Sequence, residues 1–535
     1  MLLPHLFFAL ASVLSPSGDL YPDEVLTDNA NPTAGDGIGL TVHLDGDWLY
    51  VQKYLESIPG FVHCGSVMIY QRGSAGWELR QELTPPRTWA GYPWLYGSSI
   101  LTLDDYLFVG APLLSSPNFA DGGILIYKRG PQGYELIQFI FDFPGRTASA
   151  NLGFDLHIHD GDLYSATPAH RYGSRQTGGF VSFELVGTQW THKETFQFTG
   201  ANDYRVGRGM AFDQNRMILN HGQEAVVLEE VNGTWSEIQR FGRAVDHTSK
   251  AVVADDQGMV IFGDLNDGFG PSRGAVRIFH WDGSQYLWSE SLQANDFVPF
   301  GTVGDRFGTS LSLSGNRLLI GAPGASINAT QVDGGAYLFE DGPNGWQQVI
   351  HYHPPMGSIQ TGTSAGIDVA LDEGVVIAGA YKHDVAGVPG VGATFVYELP
   401  FGAPVCSGVP NSQGVPGLLS VYGYIYASAG SLRLECEQLP PNSFAILLAG
   451  STPGFVGSPG NSSGNLCISG TAARLGTTQA LPSGHAEMVI QTATFPTSIG
   501  GPIDPGDTFV FQAWYRDMGG AGASNFTEAK TVTFR

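Results

Sequence analysis

Asp264, Asn266 and Asp267, in the run Asp264-Leu265-Asn266-Asp267-Gly268, are this chain's nearest approach to a metal-binding loop. Calcium needs several oxygens converging on one ion, usually from alternate acidic positions, a glycine turn and a closing carboxylate. Here Gly268 stands where a third ligand is expected, and Ser272 where the closing acid belongs. A solvated turn is the favoured reading and bound Ca2+ the alternative. Imidazoles come second. His157 and His159 alternate along one strand beside Asp160, with His170 further on, and His351-Tyr352-His353 repeats the form. Two imidazoles at i, i+2 can share a metal, but no third ligand follows at useful spacing, so surface strand histidines are expected. A hydrolase would need a nucleophile with its base, or two carboxylates facing a pocket. Asp45, Asp104, Asp160, Asp213, Asp255 and Asp372 recur at one place in a repeat, where aspartate makes turns by bonding to nearby amides. Trp89, Tyr92 and Trp94 break the pattern, crowded with Pro86, Pro93 and Tyr96. Such a cluster can stack on a sugar or anchor a protein. Packing under a long loop is the competing reading.

The elements that must position these residues come from a phrase repeated seven times. Its fullest copy reads Gly304-Asp305-Arg306-Phe307-Gly308, then Leu311 to Ile320, then Gly321-Ala322-Pro323. Leu311, Leu313, Leu318 and Ile320 alternate with polar neighbours, the period of half-buried strands. Ser314-Gly315-Asn316 between them suits a tight hairpin. A third strand follows at Gly334-Gly335-Ala336-Tyr337-Leu338-Phe339, and Gly345-Trp346 opens a fourth. Related copies have their corners near Gln52, Gly110, Ala166, Asn220, Gly263 and Gly379, at gaps of about 43 to 58 residues, which fit four-stranded propeller blades. Aromatics recur at the fourth-strand turn (Trp77, Tyr134, Trp190, Trp235, Tyr286, Trp346) and are expected to pack between sheets. The seventh copy stops at Pro400 without a fourth strand. Glu24-Val25-Leu26-Thr27 matches the fourth-strand segment Gln81-Glu82-Leu83-Thr84, so the N-terminal strand is expected to complete the last blade.

The phrases around Phe307-Gly308 and Gly321-Ala322-Pro323 resemble the FG-GAP repeat, the unit of the seven-bladed propeller of integrin α-subunits. The resemblance extends over residues 20–400. It implies a propeller that binds protein partners, since integrin-type propellers do so.

The first 19 residues contain a short apolar run, Leu2 to Ala11, resembling a secretory signal peptide and leader, although only His5 stands in for the basic start. No other apolar run is long enough to span a membrane. A net charge of −24 argues against nucleic acid, whose phosphates need clustered Lys and Arg. Charged residues make up 14% and aromatics 12%, a turn-rich all-β profile and not a disordered one.

After a linker at 401–405, residues 406–535 read as a β-sandwich, with strands near Leu418–Tyr424, Leu432–Cys436, Phe444–Ala449, Ala486–Ile490 and Phe509–Tyr515. Cys406-Ser407 with Asn411-Ser412, Gly464-Asn465-Leu466-Cys467, and Phe511 to Asp517 with Ser524-Asn525-Phe526-Thr527 resemble a C-terminal domain of secreted planctomycete-type proteins. Cys406 and Cys467 are the expected disulfide, and Cys436 a buried thiol.

The chain thus reads as an all-β protein: a seven-bladed propeller, closed by its N-terminal strand, followed by a sandwich. The expected role is non-catalytic recognition of an extracellular protein or glycan by a secreted or cell-surface protein, bacterial in type. The alternatives are a polysaccharide-degrading glycosidase or lyase on a propeller scaffold, and a structural envelope protein.

Overall fold

A computed structural model of the chain describes residues 19–28, 32–55, 64–73, 76–86, 95–116, 119–120, 122–147, 150–200, 206–221, 224–242, 251–264, 273–295, 304–328, 331–355, 362–372, 374–423, 431–504, 506–519 and 522–534. Among them there is no α-helix; strands dominate, with three short 3-10 turns. The chain divides into two compact units, one of residues 1–72, 77–372 and 376–397, the other of 73–76, 373–375 and 398–535.

The first unit is built from antiparallel sheets that follow one another along the chain. Each is built on a meander of four strands, as in Ser310–Ser314, Arg317–Ala322, Gly335–Gly342 and Gly345–Tyr352, where Asp19–Leu20 adds a fifth strand parallel to the last. The same order recurs in sheets beginning at Ile38, Ser99, Leu156, Met210 and Val252. The sheet beginning at Val369 has three consecutive strands, and its fourth is Glu24–Leu26, paired antiparallel with Thr394, Phe395 and Val396. A bulge interrupts the third-to-fourth strand pairing at the same place in five sheets, as at Ile126/Tyr127 and Leu338/Phe339. Bulges raise local twist, so each sheet bends alike.

Packing between sheets explains the repeated phrase. The corner glycine of one sheet lies against the counterpart of Gly308, the glycine that ends the opening run, in the next. A Cβ on Gly321 would sit 2.1 Å from the Gly366 carbonyl oxygen, and one on Gly263 would sit 1.9 Å from that of Gly308. Only glycine permits that approach. Gly379 of the last sheet meets Gly39 of the first in the same way, at 1.9 Å. A parallel bridge accompanies the contact: Gly274 to Phe307, Gly334 to Ala365, and Gly392 to Ile38. The first strands of the sheets also lie side by side, with Val369–Asp372 against both Ser310–Ser314 and Ile38–Asp45.

At the outer strands the recurrent aromatics are buried against the preceding sheet. Trp190 packs edge-on to Phe108 at 5.2 Å, and Trp235 edge-on to Phe180 at 5.7 Å. A glutamine four residues beyond one aromatic holds the backbone of the next. Gln81 accepts from Tyr134 N–H at 2.8 Å and donates to its carbonyl at 3.0 Å. Gln138 does the same for Trp190, and Gln239 for Tyr286. Glu24 takes this place on the N-terminal strand and accepts from Trp77 N–H at 3.2 Å. A carboxylate accepts that bond but, unlike the glutamines, cannot return one to the carbonyl. Glu24→Gln should therefore raise stability by about 1 kcal/mol. The readout is a higher urea midpoint at unchanged slope; an equal or lower midpoint would count against the clamp.

The second unit has a five-stranded antiparallel sheet (Ala403–Cys406, Ser524–Thr533, Thr508–Arg516, Phe444–Gly450, Ala472–Gln479) and a three-stranded one (Leu418–Gly423, Ser431–Glu437, Ala486–Gln491). Leu419, Leu432, Leu434 and Cys436 of the smaller sheet share one core with Leu447, Phe509, Phe511 and Tyr515 of the larger. Cys406 and Cys467 form a disulfide across 61 residues, while Cys436 is a buried thiol that burial pushes up to about 12. The conspicuous polar phrases of this unit converge around the segment that follows Cys406. Both oxygens of Asp517 accept from Ser412 N–H, Asn525 donates to the Val409 carbonyl, and Gln512 links Cys467 N–H to the carbonyls of Asn465 and Thr527. Buried polar side chains are stable here because each is satisfied.

Candidate functional site

A cavity of about 860 Å³ runs along the first strands of the sheets beginning at Ile38, Ser99, Leu156, Met210, Val252 and Ser310, and past Ile367 and Asp368 just ahead of Val369–Asp372. Aliphatic residues such as Leu101, Val253 and Leu311 share its wall with His43, His157, His159 and Phe212, and with the carboxylates Asp155, Asp256 and Asp368. Strand alternation places them: His157 and His159 sit at i, i+2 of Leu156–His159 and so share a face.

Two of these carboxylates, Asp155 and Asp368, are committed to structure. Asp155 follows Gly153, the counterpart of Gly308, by two positions. One of its oxygens accepts from its own neighbour Leu156 N–H, and the other from Met210 N–H on the next sheet at 2.9 Å. Asp368, placed identically after Gly366, binds Val369 N–H and reaches Val42 N–H of the first sheet at 2.9 Å. Ser312 bonds Leu371 N–H at 3.0 Å, and His43 Nε2 lies 2.9 Å from Thr102 Oγ1. These bonds join adjacent first strands, which cannot pair as a continuous ladder. The signal for them, an aspartate two residues beyond the repeat glycine, was present in the sequence at Gly153-Phe154-Asp155 and Gly366-Ile367-Asp368.

Of the histidines expected at strand surfaces, His157 and His159 are half-buried along the cavity wall, whereas His170, His351 and His353 are buried. Burial pushes His43 down to about 4 and His157 below its ordinary value, so both are neutral at pH 7. His159 stacks on Phe212 of the next sheet at 4.3 Å. His351 and His353 are buried in a column of rings between Tyr337 and Tyr21, at centroid separations of 4.0, 3.8 and 5.6 Å. Period-two placement was legible; which face the next sheet covers was not.

Residues 292–339 match the FG-GAP repeat. The matched span runs from Leu292, the last residue of the strand Tyr286–Leu292, through the phrase from Asp305 to Pro323 and into the strand Gly335–Gly342, and it includes Gly308 and Gly321, each one partner of a glycine contact described above. No curated protein matches this chain. Among solved structures, a candidate 6-phosphogluconolactonase from Bacteroides uniformis is 9% identical, with 59% of this chain and 85% of that one covered at a TM-score of 0.39. A second, from Bacteroides fragilis, is 12% identical over 57% and 81% at 0.38. The extracellular domain of a candidate one-component system from B. thetaiotaomicron is 13% identical over 76% of this chain and 45% of that one at 0.41.

Of the expected site residues, Asp264 is buried and ion-paired to Arg277 at 2.5 Å. Asn266 and Asp267 lie outside the described residues, as do Trp89, Tyr92, Trp94 and the apolar run from Leu2 to Ala11. The hairpin aspartates divide. Asp104 and Asp160 adopt left-handed φ in their turns, and Asp255 accepts from Gln257 and Met259 N–H as a turn former does. Asp213 instead is fully buried and ion-paired to Arg216 at 2.7 Å. No helix among the described residues is long and apolar enough to cross a membrane.

Proposed function

We propose that residues 20–400 form a seven-bladed propeller, its last blade completed by the strand Glu24–Leu26, and that this propeller recognises a protein or glycan outside the cell without chemically changing it. The observation that carries the non-catalytic reading is the commitment of Asp155 and Asp368. A glycosidase needs one carboxyl group to protonate the leaving oxygen and a second to act as base or nucleophile. Both of these carboxylates already hold two backbone amides each, and removing either would unlink adjacent first strands. The propeller reading draws support from the FG-GAP match and from the Gly379–Gly39 contact, which repeats between the last and first sheets what joins the others. Export is consistent with the disulfide, which persists in oxidising compartments. Loops at one rim of a propeller converge on a broad surface suited to an extended ligand, and Trp89, Tyr92 and Trp94 are the contacts we assign to it.

The test is a glycan array and a pull-down from cell-surface fractions, with product analysis on every glycan retained. Retention without turnover, reduced about tenfold or more by Trp94→Ala, is the expected result. Turnover that Asp155→Asn abolishes would replace recognition with catalysis.

A further inference from the structure

In the second unit, we infer that Glu435, His485 and Glu487 form a binding site for a divalent transition-metal ion of the zinc class. Glu435 and Glu487 are directly opposite each other across the antiparallel strands Ser431–Glu437 and Ala486–Gln491. Like charges so placed repel. His485 lies two residues before Glu487 on the same face, and one ligand atom from each of the three lies within 4.8 Å of the others. His485 Nε2 is 3.9 Å from Glu487 Oε2, so a modest side-chain rotation brings both within coordination distance of a shared ion.

Glu435 is 6% exposed, and its desolvated carboxylate needs compensating charge. Arg433 supplies part of it by pairing with Oε1 of Glu435, while also reaching Glu398 at 3.1 Å and lying over the Tyr422 ring at 4.6 Å. One guanidinium shared between Glu435 and Glu398 leaves Glu435 and Glu487 facing each other with like charge. A dication supplies the compensating charge. One imidazole with two carboxylates, arranged on one open face, matches the donor set of a zinc site that retains a position for water. Oxygen-only cations such as calcium would not use the imidazole. Bound metal would tie Ala486–Gln491, at the border of its three-stranded sheet, to the central strand.

The test uses the full chain stripped with a chelator and then titrated with ZnCl2, MnCl2 or CaCl2, followed by calorimetry and thermal unfolding. Zinc is expected to bind at one site per chain and to raise Tm. His485→Ala and, separately, Glu487→Gln should weaken zinc at least about tenfold. Both residues are partly exposed, so His485→Ala should keep the parent's metal-free Tm, and Glu487→Gln, which relieves the repulsion by Glu435, should keep or raise it. No zinc-dependent rise, a rise unchanged in both variants, or a response to calcium alone would overturn the assignment.

Discussion

Deleting residues 20–28 is expected to abolish the single cooperative unfolding transition of the first unit. The strand Glu24–Leu26 is short, but its contacts reach far along the chain. It pairs with Thr394–Val396, Asp23 N–H donates to the Val396 carbonyl at 2.9 Å, Thr27 Oγ1 donates to the Gly392 carbonyl at 2.7 Å, and Glu24 holds Trp77. Loss of buried Leu26 and of these bonds removes roughly 5 kcal/mol. It also bares an edge strand whose Phe395, Val396 and Tyr397 are buried in the intact chain, and such an edge invites pairing with other chains. Urea unfolding should show a lower midpoint and a smaller slope, with aggregation during refolding. A truncated chain with the parent's midpoint and slope would show that this strand does not latch the repeats together.

Asp213→Ala is expected to cost about 3–5 kcal/mol, because removing one member of a buried ion pair strands the other. Arg216 would be left 6% exposed, with its guanidinium carbon 4.1 Å from the Trp281 ring centroid and Tyr286 OH at 3.1 Å as its remaining partner. Tyr286 OH would lose its acceptor as well. Replacing both partners, Asp213→Leu with Arg216→Met, should recover most of the loss, since an apolar pair of similar volume needs no compensating charge. Urea midpoints of the two single variants and the double variant form the cycle that measures this coupling. A loss below about 1 kcal/mol in Asp213→Ala would place the pair in a more solvated setting than its burial implies.

These two experiments probe different parts of the relation between sequence and structure. The N-terminal strand was legible because Glu24-Val25-Leu26-Thr27 repeats the pattern of Gln81-Glu82-Leu83-Thr84, and a meander one strand short at Pro400 needs a partner. Asp213 was read as one more turn former because it shares the repeat position of Asp104 and Asp160. What distinguishes it, Arg216 folding back under Trp281 and Tyr286 of the next sheet, is a long-range contact with no local signature.

Strand period, hairpin turns, the aromatic positions at the sheet borders and the glycines where sheets meet are all legible in the chain, since each reflects backbone sterics or side-chain alternation within a few residues. The chain also held the aromatic-to-glutamine spacing of Trp77 to Gln81 and Tyr134 to Gln138, although the purpose of that spacing is visible only when the next sheet lies alongside. Which polar groups are spent depends on long-range packing. Asp155 and Asp368 bind amides of neighbouring sheets, His351 and His353 are enclosed between tyrosine rings, and Glu435 faces Glu487 with His485 beside them. The reason is physical: a carboxylate or imidazole has the same local preferences whether it meets water, an amide or an ion, and its fate is set by what packs against it from distant parts of the chain.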